Sequence, residues 1–316
     1  MDDKYSHPLR SIIPPSALSE PSLHSDHPEI DREVISYLVN AWKWPSEKHK
    51  KGFISWNLAE VVSFMFPTGE TSRVKLACEL LLLGFLMDDH FDNHTFQENT
   101  LTVSRLESLF NSPSSFNPTT NIDEMHSTLF SRFLSIPHSQ PILQTYLAML
   151  KCHCEPTRGS TSTLGSYLKF RETDVGMPIC SELMYWVEPA LLSLTQQQRE
   201  TLKRMETIAN YHVSILNDVF SFEREYKASR EQDSEGAVLV NGVAVLSREI
   251  GVGVDVARSL CCEIVRGWER EFLGVVAETL KSKDVEKDGL MLRAIKGIER
   301  RMSGAEAYSW RTKRYL

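Results

Sequence analysis

Apolar residues recur at helical spacing from about position 31 almost to the end of this chain. Val74, Cys78, Leu81 and Phe85, separated by steps of four and three, form the stripe of one amphipathic helix. Residues 31–44 carry an earlier helical pattern, and residues 46–66 a second that Pro67, Thr68 and Gly69 end. Residues 111–120, with two prolines among Ser and Asn, read as a loop; helical patterns resume over 122–134 and 140–154. A polar break at 159–163 precedes a helix over 164–174. Val175, Gly176, Met177 and Pro178 then predict a broken helix before a further piece to about 188. The longest periodic stretch is 196–227, followed by a small, charged surface loop at 228–236. Residues 237–256 are rich in Val and Gly, which favours strand on propensity, but no partner strands are evident, so helix is expected. Residues 261–280 and 284–302 are amphipathic helices, and 308–316 a short tail. With no internal repeat and no dividing linker, the expected fold is all-α: an extended arm over 1–30 and a single helical domain over 31–316.

At 316 residues and 41% hydrophobic the chain can bury a large core. A net charge of -7 without a basic, aromatic surface run argues against nucleic acid as a partner. No apolar run approaches the roughly 18 residues of a membrane span, and the start lacks the basic and apolar regions of a signal peptide. Six cysteines in a chain this long do not make a disulfide framework, so reduced thiols and a cytoplasmic protein are expected.

The stripe that ends at Phe85 continues, step for step, into Asp88 and Asp92, while Asp89 falls off it. Two carboxylates one turn apart on a buried face, near the negative end of a helix dipole, raise each other's energy. The pair persists if one member takes a proton or if hard cations such as Mg2+ bind there. A helix end that simply surfaces is the other reading. Asn217, Ser221 and Glu225 form a second constellation, spaced four apart at the end of the apolar run 208–216. Amide oxygen, hydroxyl and carboxylate project from one side, suited to Mg2+, with Arg224 beside them. Here too a solvated helix end is the plain alternative. Neither set fills a metal shell, so phosphate oxygens would complete both.

Together these motifs resemble those of the class I terpene synthases, the compact single-domain cyclases of fungi and bacteria, with a fungal sesquiterpene cyclase the expected member. Asp88-Asp89-His90-Phe91-Asp92 matches that family's DDxxD motif and Asn217 to Glu225 its NDxxSxxxE motif; Arg314-Tyr315 matches its C-terminal RY pair. Arg171, 46 positions before Asn217, falls at the family's diphosphate-sensing arginine, with Asp174 at the linker position and Val175, followed by Gly176, at the effector. Chain elongases, close relatives, carry a second aspartate-rich motif where this chain has Asn217, Ser221 and Glu225, which points to cyclisation. The 97 residues between Asn217 and Arg314 exceed the gap in many bacterial members, and an enlarged loop at 228–236 would account for it.

The resemblance implies a helical bundle with its active site in a central cavity between helices. It implies three Mg2+ ions, for which Mn2+ can substitute, held by Asp88 and Asp92 on one side and Asn217, Ser221 and Glu225 on the other. Arg171, Arg224, Arg314 and Tyr315 would bind the diphosphate of a linear prenyl diphosphate, farnesyl diphosphate first and geranyl or geranylgeranyl diphosphate as alternatives. Phe85 and Trp310 resemble pocket-lining aromatics whose faces stabilise carbocations. Closure by residues near 225–236 and the tail is expected, as is a monomer or homodimer. Two other readings are weaker: a zinc site at Cys152-His153-Cys154 lacks a second ligand pair, and a His-Asp phosphohydrolase lacks further His at helical spacing. A helical module that binds Mg2+ and a phosphorylated ligand without turnover is the competing class.

Overall fold

The helical periodicities become α-helices wherever the computed structural model describes the chain, which is residues 8–231, 235, 238–281, 285 and 288–315; no strand occurs among them. The first segment holds α1 (His27–Ala41), α2 (Glu47–Ser55), α3 (Ala59–Met65) and α4 (Thr71–Phe91). Then come α5 (Phe96–Asn111), α6 (Asn121–Leu134), α7 (Gln140–Cys152), α8 (Leu164–Asp174) and α9 (Met177–Val187). The last part comprises α10 (Gln196–Glu231), α11 (Gly242–Ile250), α12 (Val254–Thr279) and α13 (Gly289–Arg311). Thr95, Thr120 and Thr163 open α5, α6 and α8 as capping boxes, each side chain accepting from the backbone three residues on.

Three expectations change. The helix expected over 46–66 is two, because the Trp56 carbonyl accepts from side chains, Tyr308 Oη at 3.0 Å and Thr312 Oγ1 at 2.8 Å, while the Glu60 N–H donates to the Asn57 carbonyl at 3.0 Å. Asn57 takes up the turn with φ 52°, a left-handed conformation that Asn tolerates. The loop expected from 228 begins later. Stacking of Phe222 on Tyr226, Arg230 over Tyr226, and Lys227 with Glu231 at i, i+4 carry α10 on to Glu231. The rest of that loop, apart from Glu235, lies outside the described residues. The tail expected from 308 is helical to Arg311, since Ala305, Tyr308 and Ser309 extend the buried face of α13. A single 3-10 turn, Lys313–Tyr315, follows. The Val- and Gly-rich stretch is helical over Gly242–Ile250.

Helix α10 is buried over most of its middle and packs against α8, α11, α12 and α13; α4 packs against α1, α3, α6, α7 and α9. Both present one face to a cavity enclosed by α3, α7, α8, α9 and α13. Residues 12–26 run outside regular structure along α12, α13 and α3. Arg266 Nε donates to the Pro14 carbonyl (2.8 Å), the Ala17 and Ser19 N–H groups to Glu269 and Glu299 (2.8 Å each), and the His24 N–H to the Ser63 carbonyl (3.1 Å). No helix among the described residues is long and apolar enough to cross a membrane. All six cysteines are free thiols.

Candidate active site

The stripe of α4 explains the cavity. Val74 and Cys78 are core, whereas Leu81, Phe85, Asp88 and Asp92 line the cavity wall in register. Helix α10 adds Val213, Leu216, Asn217, Arg224 and Glu225 to the same wall. The cavity, its mouth included, has ≈ 1390 Å³ of empty space. Apolar side chains line most of it; the carboxylates and arginines come from the ends of α4 and α8, from α10, from the 3-10 turn after α13 and, for Arg158, from the loop between α7 and α8.

Asp88 and Asp92 meet His153, from the turn after α7; ligand atoms of the three lie within 4.8 Å of one another. Roughly a third of each carboxylate side chain stays accessible to water. The two titrate in opposite directions. Burial pushes Asp88 up, but His153, Arg158, Arg314 and Arg224 more than offset that and hold it below the usual carboxylate value. Burial, then the neighbouring Asp88 charge, push Asp92 up to about 8. Burial, helped by Arg158, takes His153 down to about 4, so it is neutral at pH 7 and its ring can act as a ligand. The pairing of one ionised and one protonated carboxylate is one of the two outcomes that the sequence pattern allows.

A raised carboxyl pKa has a definite sign. Folded Asp92 keeps a proton between about pH 4 and about 8 that the unfolded chain has lost, so its contribution to stability falls as pH rises through that window. A cation that binds the carboxylate must expel that proton. Binding of a divalent cation near pH 7 should therefore release close to one proton, read as a dependence of the calorimetric heat on the ionisation enthalpy of the buffer. Asp92→Asn should abolish the release; a wild-type protein that releases none contradicts the assignment.

Helix α8 ends where the sequence predicts a break. Val175 closes it and Gly176 adopts φ 77°, ψ 13°, a left-handed turn in which an added Cβ would lie 3.0 Å from Met149 Sδ. Pro178 follows in the first turn of α9. Both Val175 and Gly176 line the cavity. One turn back, Arg171 pairs with Asp174 at the i, i+3 spacing, and both are buried. The other terminal nitrogen of Arg171 donates to Asn217 Oδ1 and Asp218 Oδ1, each at 3.2 Å. Arg158 and Arg171 outweigh burial and hold Asp174 well below the usual carboxylate range.

Within the second constellation, Asn217 and Glu225 line the cavity and are already engaged. Asn217 Nδ2 donates to Tyr315 Oη at 2.8 Å, and Glu225 Oε2 accepts from Asn241 Nδ2 at 2.9 Å. Ser221 lies between them, buried and outside the cavity wall, and its Oγ has no partner among the described residues. A buried hydroxyl without a partner, one turn from an amide oxygen and one turn from a carboxylate, fits an oxygen-preferring cation. The donor set of both constellations is thus compatible with divalent metal.

Arg314 is buried with its guanidinium 4.3 Å over Trp56 and 5.2 Å over Phe85, and it donates to Asp89 Oδ1 at 3.2 Å. Arg224 approaches the same oxygen at 3.7 Å. Asp89, off the stripe, is therefore what ties both arginines to the end of α4. The resemblance-based expectation for Trp310 is overturned. It stands two residues, about 200° of helix, from the cavity-lining Tyr308 and turns away, its ring against Phe220 (4.8 Å) and under Arg10 (5.5 Å). Sequence reasoning missed Arg158, His153, Asp218 and Asn241. His153 enters the sequence reading only as part of a candidate zinc site, and Asp218 only as an unassigned member of the second metal motif. Arg158 and Asn241 carry no sequence signal, since neither lies on a periodic stripe.

Residues 79–271 match the family model described as terpene synthase family 2, C-terminal metal binding. The aristolochene synthase of Aspergillus terreus is 28% identical over 307 residues, covering 96% of this chain and 95% of that protein. The (+)-aristolochene synthase of Penicillium expansum is 29% identical over 308 residues, covering 95% of this chain and 90% of that protein. Among solved structures, the aristolochene synthase of Penicillium roqueforti superposes with a TM-score of 0.80 at 26% identity, covering 95% of this chain and all of that one.

Proposed function

The chain belongs to terpene synthase family 2 and is a class I terpene synthase, a cyclase of prenyl diphosphates that uses divalent metal, and from that premise we propose that its substrate is farnesyl diphosphate and its metal Mg2+. The product would be a sesquiterpene, with inorganic diphosphate released. The full-length relatives are sesquiterpene cyclases, which supports the fifteen-carbon substrate.

One observation carries the reading. Arg171, Arg224 and Arg314 reach the cavity from three separate elements, and each keeps a buried N–H without a partner among the described residues: Nε of Arg171, Nε of Arg224 and one terminal nitrogen of Arg314. Spare donors that converge on one cavity suit an anion with many acceptor oxygens, and a diphosphate is such an anion. The Tyr315 hydroxyl, fixed by Asn217, joins them.

Asp88 and Asp92 would hold metal at one side of the diphosphate, and Asn217, Ser221 and Glu225 at the other. Three Mg2+ ions bound there would supply the positive charge that makes diphosphate a good leaving group. Arg171, Arg224, Arg314 and Tyr315 would take up the charge that develops on the departing oxygens. Beyond them the apolar wall would fold the prenyl chain and exclude water, and the Phe85 face would stabilise the allylic cation. Asp174 would hand Arg171 to the diphosphate, and the segment at Val175 and Gly176 would turn a carbonyl toward the cation. Residues 31–316 would act as one cyclase domain with 1–30 as an arm. All these groups come from one chain, which supports a site complete within each protomer, as a monomer or in a homodimer. Six free thiols support the cytoplasm as its compartment.

Competition among geranyl, farnesyl and geranylgeranyl diphosphates at equal concentration, with Mg2+, tests the substrate. The farnesyl ester should be consumed first; preferential loss of another would move the assignment to ten or twenty carbons.

A further inference from the structure

Arg158 lies between α7 and α8, outside every motif, yet its guanidinium is buried among four site residues. Its Nε donates to Asp174 Oδ1 at 3.1 Å. One terminal nitrogen stands 3.6 Å from Asp88 Oδ1 and 3.5 Å from His153 Nε2, and the other 3.7 Å from Asp92 Oδ1. Arg158 thus spans two groups of carboxylates with different tasks, the pair that would bind metal and the one that holds Arg171. We propose that Arg158 is a positioning residue that couples metal loading at Asp88 and Asp92 to the release of Arg171 from Asp174. This deepens, and rests on, the diphosphate reading.

The distances show how the coupling works. The contacts to Asp88 and Asp92, at 3.6 and 3.7 Å, are longer than a hydrogen bond, whereas 3.1 Å to Asp174 is a hydrogen bond. The guanidinium is shared among three carboxylates and fully commits to none. Asp174 is shared too, its Oδ1 with Arg158 and its Oδ2 with Arg171. Once Asp88 and Asp92 are committed to a divalent cation, the ion cancels the negative charge that drew Arg158 toward them, and Arg158 is left with Asp174 alone. A guanidinium that presents its whole fork to Asp174 satisfies that carboxylate by itself, so Arg171 can leave it for the diphosphate without stranding a buried charge. The backbone at Arg158 is held in place meanwhile. Gly159 adopts φ +81° and sits so close to residues 238–240 that a Cβ would lie 2.6 Å from Val238 Cγ1. The side chain is what remains free to change partners.

The test uses Mn2+ and inorganic pyrophosphate on the full-length protein, with affinities from calorimetry. The quantity read is the factor by which saturating Mn2+ tightens pyrophosphate binding, expected to be at least ten-fold in wild type. In Arg158→Gln, Mn2+ alone should bind several-fold more tightly, because a competing cation is gone, while that factor falls at least five-fold. Arg158→Lys keeps the charge but not the fork and should fall between; circular dichroism checks both, and Lys carries the test if Gln does not fold. If Arg158 merely supports the loop or lends charge to the anion, pyrophosphate weakens equally with and without Mn2+. An unchanged factor in the variants overturns the proposal. A wild-type factor near one overturns the diphosphate reading itself, and this inference with it.

Discussion

Arg171→Lys should lose most of the turnover, on the order of 10- to 100-fold in kcat, while Mg2+-dependent pyrophosphate binding weakens only several-fold. The guanidinium makes three contacts at once: the ion pair with Asp174, and hydrogen bonds to Asn217 and Asp218 at 3.2 Å. An ammonium is a point charge that cannot keep this planar fork or offer bidentate contact to phosphate. Charge is retained, so ground-state binding suffers little; what goes is the transfer of Arg171 from Asp174 to the diphosphate and the accompanying shift at Val175 and Gly176. The split between kcat and binding is the diagnostic. Near-native turnover in Arg171→Lys would reduce Arg171 to a source of positive charge.

Asp88→Asn should be more damaging, with kcat/KM falling by two orders of magnitude or more, about 2.7 kcal/mol of transition-state stabilisation. Asp88 is the carboxylate that stays ionised, so it is the stronger oxygen donor of the pair. Its loss should leave the helical circular dichroism intact, because Arg158 retains Asp92 and Asp174. Asp89→Asn should cost less than Asp88→Asn yet more than its place off the stripe suggests, because it loosens Arg314 and Arg224. Normal turnover in Asp88→Asn would remove its metal role.

Much of this arrangement was legible because helices repeat. The run Val74, Cys78, Leu81, Phe85, Asp88, Asp92 predicts a carboxylate pair on an inward face, and its last four members do line the cavity. Gly176 and Pro178 mark the helix break for equally local reasons. What stayed hidden depends on partners far away in sequence. The break at Trp56 arises because Tyr308 and Thr312 capture its carbonyl, and Arg158 reaches Asp88, Asp92 and Asp174 from a loop without periodicity. Trp310 misled because nearness to Arg314 along the chain says nothing about which way a helical side chain points.

The most direct measurement is a sealed incubation with farnesyl diphosphate, with headspace hydrocarbons or alcohols and free diphosphate quantified together. With Mg2+, a cyclic fifteen-carbon product should appear in step with diphosphate, and chelation of the metal should stop both. Binding without turnover, or release of diphosphate with only linear farnesol formed, would contradict the account.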